Sequence, residues 1–200
     1  GLIEAAAGSR LSMAEALTNI VWAPIEKNLK GISLSANWMW PAKNKGENER
    51  LYEAVKAVSD FAVELGINIP TGKDSLSMTQ KYGNGAVVYA PGTVIISAVG
   101  EVSDIGKVVT PLLVDEQNSS LIYLDLSKDD FKLGGSSFAQ VNNKLGKEAP
   151  TVKDGAYFKK GLEAIQALIK KGQILAGHDI SAGGMITTLL EMCFARNKIG

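Results

Sequence analysis

Residues 178–185, with the sequence His-Asp-Ile-Ser-Ala-Gly-Gly-Met, constrain the fold most, because two adjacent glycines stand directly before an apolar, helix-like run. Glycines in this position let backbone N–H groups point outward at the helix N-terminus, where the helix dipole favours an anion. The carboxylate of Asp179 can hold a cation that bridges to the same anion. The segment therefore predicts either a site for phosphate and magnesium or an ordinary helix start capped by Ser181 or Asp179.

The composition of the 200-residue chain limits its function classes. With 46% hydrophobic residues, the chain is long enough to bury a core in one large or two small domains. Its 21 basic and 21 acidic residues cancel, which removes the electrostatic argument for nucleic acid or an anionic membrane as partner. No apolar run approaches the roughly 20 residues that cross a bilayer, and the first residues lack the basic region of a secretory signal.

Cysteine and histidine each occur once, as Cys193 and His178. A single cysteine excludes an internal disulfide and fits a reducing compartment, which we expect to be the cytoplasm. A zinc site of nitrogen and sulfur ligands is nearly impossible with so few donors, so any metal here should be hard and bound by oxygen. Cys193 lies in an apolar helical run and is interpreted as a core residue.

The hydrophobic pattern predicts helices and strands without regular alternation, which is typical of an α+β fold. In the first part of the chain, the predicted elements are a helix that Ser12 begins and that ends at residue 20, a short strand or loop at 34–40, a helix at 49–65 ended by Gly66, and strands at 85–90 and 94–102.

A change in composition at residues 103–120 predicts a boundary near residue 113, which gives subdomains of residues 1–112 and 113–200. The elements predicted around and beyond it are a possible strand at 108–114, a buried strand at 121–126, helices at 135–144 and 154–171, a short strand at 174–176 and a last helix from residue 186. The apolar face of the longer helix should include Tyr157 and Leu168. Both ends of the chain resemble cuts within a longer protein.

Glu15 and Asn19 stand at positions i and i+4, on one face of the first predicted helix. A carboxylate and an amide oxygen in this arrangement form half of a coordination sphere for magnesium or calcium. The alternative is that Ser12 and Glu15 form a capping box at the N-terminus of their own helix.

Residues 70–75, Pro-Thr-Gly-Lys-Asp-Ser, resemble a phosphate-binding loop but do not match the Walker A pattern, because Asp74 follows Lys73. A turn here could present Lys73 to a phosphate and Asp74 to a cation, or it could be a plain surface turn. Residues 133–137, Leu-Gly-Gly-Ser-Ser, form a second glycine-rich helix start that suits either an anion or simple capping. His178 is open to interpretation as a base or as a structural residue.

Five segments occur in an order that resembles a known enzyme family. They are residues 15–24 (Glu-Ala-Leu-Thr-Asn-Ile-Val-Trp-Ala-Pro), 34–41 (Leu-Ser-Ala-Asn-Trp-Met-Trp-Pro), 69–78 (Ile-Pro-Thr-Gly-Lys-Asp-Ser-Leu-Ser-Met), 133–136 and 178–184. The chain resembles the large, single-chain form of phosphoribosylformylglycinamidine synthase, the formylglycinamide ribonucleotide amidotransferase. The similarity is to the second of two tandem halves, each built like aminoimidazole ribonucleotide synthase.

The resemblance implies an α+β fold with two subdomains like the N- and C-terminal domains of aminoimidazole ribonucleotide synthase, with a nucleotide between them. The whole enzyme is expected to use ATP, Mg²⁺ and glutamine to convert formylglycinamide ribonucleotide to formylglycinamidine ribonucleotide. Implied partners are formylglycinamide ribonucleotide, ATP, and the remaining synthetase and glutaminase domains of the same chain. The isolated fragment should be inactive, because its sites lack their partners.

By match of motif, the resemblance implies that Glu15, Asn19 and Asp179 are magnesium ligands, which favours the metal over the capping box. Ser181 is implied as a nucleotide contact, and Lys73 and Asp74 as phosphate or metal neighbours. No catalytic residue is implied.

Two departures from the family pattern are Ile180 and Ala182, which stand where the family often has Arg and Asp. In some members this half retains ATP or ADP in a structural role, so the alternative is a nucleotide-holding scaffold for the catalytic half. A phosphotransferase relative in the same superfamily is a third possibility.

Overall fold

The computed structural model describes residues 1–195, which form five α-helices and five strands. In chain order the elements are α1 (Ala5–Ile20), β1 (Ile32–Met39), α2 (Glu47–Leu65), β2 (Asn68–Ser75), β3 (Thr79–Lys81), β4 (Val87–Tyr89), β5 (Thr93–Gly100), α3 (Ser137–Val141), α4 (Gly155–Lys170) and α5 (Gly184–Cys193). The predicted α+β class is confirmed. The last five residues of the subdomain predicted at 113–200 lie outside the described residues.

A three-stranded sheet in the order β2–β1–β5 carries α1 and α2 on one face. The central strand β1 runs parallel to β2 and antiparallel to β5, and Ala36 pairs with both Gly72 and Ile96. Successive side chains of a strand point to opposite faces, so Leu34 and Ala36 are buried toward the helices while Ser33 and Ser35 are not. Strands β3 and β4 pair with each other in a separate, exposed hairpin.

One hydrophobic core joins the two predicted subdomains. Leu17 of α1, Phe61 of α2 and Phe158 and Leu162 of α4 are fully buried in the same cluster. The ring centroids of Phe61 and Phe158 lie 5.6 Å apart. Burial of each such side chain stabilises the fold by about 1.5–3 kcal/mol, so α4 contributes strongly to the core over the sheet.

Gln166 of α4 is a buried amide that holds the chain segment following α1. It is 1% exposed. Its Oε1 accepts a hydrogen bond from the Ile25 N–H at 2.8 Å, and its Nε2 donates to the carbonyls of Val21 (2.6 Å) and Ala23 (2.8 Å). Because one side chain satisfies three backbone groups, this segment can be buried without regular secondary structure.

Several predicted elements are confirmed with shifted bounds. The helix predicted at 49–65 is α2, and Gly66 after it adopts a left-handed φ of 74°. The helix predicted at 154–171 is α4, and Asp154 caps it by accepting from the Tyr157 N–H at 2.8 Å. Two members of its predicted apolar face, Tyr157 and Leu168, are instead 40% exposed. The helix predicted at 135–144 is shorter, covering only α3.

The prediction that Ser12 begins the first helix is wrong, because α1 already begins at Ala5. The preceding residues include three consecutive alanines, which have the highest helix propensity. Ser12 therefore lies inside the helix, where its hydroxyl donates to the Gly8 carbonyl at 3.0 Å. A capping box with Glu15 does not form.

The prediction of a turn at residues 70–75 is also wrong, because these residues belong to β2. Gly72 explains the difference: a Cβ there would overlap the backbone carbonyl of Ala36, so only glycine allows this close approach to β1. Pro70 is tolerated because β2 lies at the edge of the sheet.

The strands predicted at 108–114, 121–126 and 174–176 are absent from the described chain. Single backbone hydrogen bonds, such as Gly177 N–H to Thr110 O at 3.1 Å, hold these segments where a ladder was expected. Leu121 and Ile122 are 65% and 74% exposed, so this segment is not buried. A strand requires a paired neighbour, and none lies beside these residues in the described part of the chain.

None of the helices between residues 1 and 195 is long and apolar enough to cross a membrane.

Candidate functional site

A cleft of about 860 Å³ lies between α1 and the glycine-rich segments of the second subdomain. Glu15 and Thr18 of α1 line one side. The other side includes residues 122–127, 129–138 and 178–184, which contain both glycine-rich turns. The fold therefore brings the first helix and two distant turns of the sequence to one cavity.

The turn before α5 leaves its N-terminus open toward the cleft. Gly183 and Gly184 have φ angles of 92° and 74°, a left-handed conformation that favours glycine. Gly183 occupies the N-cap position, and no side chain among the described residues caps this helix. The alternative that Ser181 or Asp179 caps α5 is therefore wrong. Ser181 is exposed and, like Gly183 and Gly184, lines the cleft.

The turn before α3 is used for packing and capping. The Gly134 and Gly135 N–H groups donate to the carbonyls of Glu148 (3.1 Å) and Leu145 (2.7 Å). The Ser136 hydroxyl accepts from the Ala139 N–H at 3.2 Å and so caps the helix. Both glycine N–H groups of this turn have partners, whereas in the described turn before α5 the Gly184 N–H donates to the Ser181 carbonyl at 3.0 Å and the Gly183 N–H has no such bond.

Glu15 and Asp179 both line the cleft, and the charge of Asp179 acts on Glu15. Burial raises the pKa of Glu15, and the negative charge of Asp179 raises it further, whereas a hydrogen bond from the Asn19 side chain lowers it. Asp179 is only 12% exposed. Two partly buried carboxylates that repel each other form a local negative charge that a divalent cation would neutralise.

Asn19 lies one helical turn beyond Glu15, at the edge of this pair. Its Nδ2 donates to the Glu15 backbone carbonyl at 2.9 Å. Together with Glu15 it lines a neighbouring groove of about 540 Å³ between α1 and β5. Glu15 thus lines both the main cleft and this groove, whereas Asn19 lines only the groove.

Lys73 and Asp74 are not brought together with Glu15 and Asp179. Both are exposed residues of β2, and neither lines the cleft. They pair with Asn37 and Trp38 of β1, so they point to opposite faces of the sheet. Only one of the two side chains can therefore face a given ligand.

Thr188 and Glu191, which lie near Asp179 and His178, were not named from the sequence, and the role of His178 was left open. His178 places Nδ1 3.3 Å from Asp179 Oδ1 and Nε2 3.2 Å from Glu191 Oε2. The Thr188 hydroxyl donates to the Asp179 backbone carbonyl at 3.2 Å. The sequence shows Glu191 as the only charged residue of the run that forms α5, but it does not show what Glu191 contacts.

Two domain families match the chain. The FGAR-AT PurM_N-like domain matches residues 1–101. The chain belongs to this family. The C-terminal domain of AIR synthase related proteins matches residues 119–199. The predicted family membership is confirmed.

Two curated relatives of this FGAR-AT PurM_N-like chain share a name. The chain is 45% identical over 199 residues to a probable phosphoribosylformylglycinamidine synthase, chloroplastic/mitochondrial, of Arabidopsis thaliana, and covers 14% of that protein. It is 40% identical over 207 residues to a probable phosphoribosylformylglycinamidine synthase of Caenorhabditis elegans and covers 16% of it. These alignments cover 99% and 98% of the chain, which thus spans about one seventh of the length of these relatives.

Solved structures support the fold of the FGAR-AT PurM_N-like chain. T. maritima PurL complexed with FGAR superposes with a TM-score of 0.57 at 15% identity, covering 96% of this chain and 29% of that one. T. maritima PurL complexed with ATP gives 0.51 at 11% identity, covering 92% and 25%. At these identities the similarity concerns the fold alone.

Proposed function

We propose that this chain is part of a phosphoribosylformylglycinamidine synthase, an ATP-dependent ligase that converts formylglycinamide ribonucleotide and glutamine to formylglycinamidine ribonucleotide. The chain's own contribution is a nucleotide and Mg²⁺ site in the cleft. The observation that carries the proposal is that Glu15 and Asp179 line the same cleft as the turn before α5, a helix start without a side-chain cap. The shared name of the curated relatives supports the reaction.

The residues around the cleft fit a hard cation. Glu15, Asn19 and Asp179 offer oxygen donors, which are the ligands that Mg²⁺ prefers. Within residues 1–195 no three His, Cys, Asp or Glu side chains are arranged so that they could hold a metal ion by themselves, so the protein would supply few ligands. This suits Mg²⁺, which usually keeps several waters and binds substrate phosphates. When bound, the cation would neutralise the carboxylates and the phosphate charge that faces them.

The chain's own groups divide the remaining work between them. The N–H groups at the start of α5 and the hydroxyl of Ser181 bind phosphate oxygens, because the helix N-terminus favours an anion. Glu15 and Asp179 orient the cation from opposite sides. Lys73 and Asp74 remain predictions from the sequence, and a ligand would reach them only at the edge of β2.

Calorimetric titration of the full-length protein with Mg²⁺ and ADP tests this assignment. Glu15→Gln and Asp179→Asn keep the side-chain size but remove one charge each, so both should weaken Mg²⁺-dependent binding while circular dichroism stays unchanged. Glu163→Gln, at an exposed carboxylate of α4, is the matched control. Wild-type affinity in both cleft variants would contradict the proposal.

A scaffolding role is the second candidate, because the cleft lies over a core that both subdomains share. A nucleotide held there would connect the two subdomains. Lost ATP turnover with unchanged stability in Glu15→Ala and Asp179→Ala would favour catalysis. Lost bound nucleotide with a lower unfolding temperature would favour the scaffold.

We further propose that the subdomain boundary lies near residue 113, between the two matched segments, and that the enzyme works in the cytoplasm with its glutaminase and remaining synthetase domains. Limited proteolysis tests the boundary, and cell fractionation tests the compartment. We also expect the 200-residue chain alone to be inactive, because its site lacks the other domains. Measurable formation of formylglycinamidine ribonucleotide by this chain alone would contradict that expectation.

A further inference from the structure

His178 lies between two carboxylates, one at each ring nitrogen. Asp179 Oδ1 is 3.3 Å from Nδ1, and Glu191 Oε2 is 3.2 Å from Nε2. The imidazole is mostly buried, whereas Glu191 is about half exposed. Partners at both nitrogens fix the plane and the direction of the ring, so the Nδ1 side is held toward Asp179.

Helix α5 supplies two side chains that restrain Asp179, one directly and one through His178. Thr188 and Glu191 stand at positions i and i+3, which places them on one face of the helix. The Thr188 hydroxyl binds the Asp179 backbone carbonyl directly, while Glu191 reaches the Asp179 carboxylate through His178. The same helix begins at Gly184, in the turn that faces the cleft. The orientation of the Asp179 carboxylate and the position of the glycine turn before α5 therefore both depend on α5.

Fixing the orientation of the Asp179 carboxylate has a physical consequence for cation binding in this cleft. The charge of Asp179 raises the pKa of Glu15, so the two carboxylates repel each other when both are ionised. Without an orienting partner, the Asp179 side chain would turn away from Glu15 and would have to be reordered when a cation binds. A carboxylate that is already oriented binds the cation with less loss of conformational freedom.

We propose that Glu191 and His178 are positioning residues, which hold the Asp179 carboxylate toward Glu15 and so raise the affinity of the cleft for a divalent cation. The inference rests on the proposed function, since it concerns the same cation. Outer partners of metal ligands commonly change metal affinity by about 10- to 100-fold when they are removed.

Two substitutions of His178 separate the contact with Asp179 from the contact with Glu191. The amide nitrogen of asparagine takes roughly the place of Nδ1, so His178→Asn keeps a nitrogen beside Asp179 and loses the contact with Glu191. The amide of glutamine reaches the place of Nε2, so His178→Gln keeps the contact with Glu191 and loses the nitrogen beside Asp179. Glu191→Leu removes the outer carboxylate, and Glu163→Leu is the matched control on an exposed face of α4.

The measurement is Mn²⁺ binding to the full-length protein, followed by electron paramagnetic resonance of the free ion, with thermal unfolding of each variant alongside. The Mn²⁺ site that is lost in Asp179→Asn is assigned to the cleft, and its affinity defines the binding class that is compared. We expect His178→Gln and Glu191→Leu to raise the Mn²⁺ dissociation constant of that class about 10- to 100-fold. His178→Asn should retain most of the wild-type affinity, although its unfolding temperature falls as in the other variants.

Two results would overturn the inference while the proposed function stands. One is unchanged Mn²⁺ affinity in His178→Gln and Glu191→Leu when Asp179→Asn has lost the site. The other is an equal loss of affinity in His178→Asn and His178→Gln that follows their loss of thermal stability, since this would indicate a purely structural role. If Asp179→Asn and Glu15→Gln both bind Mn²⁺ like the wild type, the proposed function itself fails.

Discussion

Asp129 is the most strongly anchored carboxylate in the described chain. Its side chain is 1% exposed, and its Oδ1 lies 2.7 Å from Lys153 Nζ and 3.2 Å from Lys132 Nζ. The Thr151 N–H donates to its Oδ2 at 3.1 Å. The hydrogen bond from Lys153, followed by those from Lys132 and the backbone, lowers the pKa of Asp129 to about 2. These contacts connect the segment before the glycine turn at residues 133–137 to the segment that leads into α4.

Because the folded-state pKa of Asp129 lies below its ordinary value of 3.8, its contribution to stability is complete above about pH 4 and is lost as the pH falls toward 2. We expect Asp129→Asn to lower the free energy of unfolding by about 1–2 kcal/mol at pH 7, a value reduced for the solvent exposure of Lys153. Urea denaturation of both proteins from pH 7 to 2.5 measures the difference, which should shrink below pH 4. A difference that stays constant over this range would contradict the assignment.

At the scale of single residues, the sequence was most informative where a motif carried chemistry. Glu15, Asp179 and Ser181 could be named from matching segments, and the structure places all three along one cleft. Glu191 could not be named, because its role depends on the fold of α5 against His178, and no local spacing encodes that contact. Lys73 and Asp74 were grouped with the site because a turn was predicted where the chain forms an edge strand.

At the scale of elements, Gly72 determines whether β2 can approach β1. A Cβ at this position would overlap the Ala36 carbonyl, and backbone atoms cannot move aside without breaking the ladder. We expect Gly72→Ala to lower the free energy of unfolding by about 1–3 kcal/mol, as overpacking usually does. Gly83→Ala is the matched control, since nothing lies within 4 Å of a Cβ there. Equal stability of the two variants by chemical denaturation would show that β2 is not held by this contact.

Gln166 allows a second prediction about an element, the connection between α1 and β1. Gln166→Leu has a similar size but leaves the Ile25 N–H and the carbonyls of Val21 and Ala23 without their partner. Each buried group left unsatisfied costs about 1–3 kcal/mol, so we expect a loss of several kcal/mol in the free energy of unfolding. The exposed Gln173→Leu should change it by less than about 0.5 kcal/mol. Similar values for both variants, measured by urea denaturation, would contradict this role.

The helices were predicted better than the strands, for a physical reason. The hydrogen bonds of a helix lie within its own segment, so the periodicity of α2 and the cap of α4 were sufficient. A strand is defined by its neighbour. Residues 121–126 have the composition of a buried strand, yet nothing pairs with them in the described part of the chain, and composition cannot supply that information.

At the scale of the whole molecule, the shared core makes the two subdomains thermodynamically dependent. All three tryptophans lie in the first forty residues, whereas Leu162 belongs to the second subdomain. Leu162→Ala should therefore lower the tryptophan-detected free energy of unfolding by about 2–5 kcal/mol, although it changes no residue of the first subdomain. Leu168→Ala, on the exposed side of the same helix, serves as the control. A tryptophan transition that does not shift in Leu162→Ala would mean that the subdomains unfold independently.

The contribution of α4 to this core has a consequence for the order of events on the ribosome. Leu17 and Phe61 emerge early in synthesis, but the helix that covers them ends only at Lys170. At about 5–20 residues per second, the interval between residue 101 and the end of α4 lasts roughly 3 to 14 seconds. During that interval the nascent first half exposes an apolar surface that a chaperone can bind, and a slower codon stretch between the two halves would lengthen this exposure.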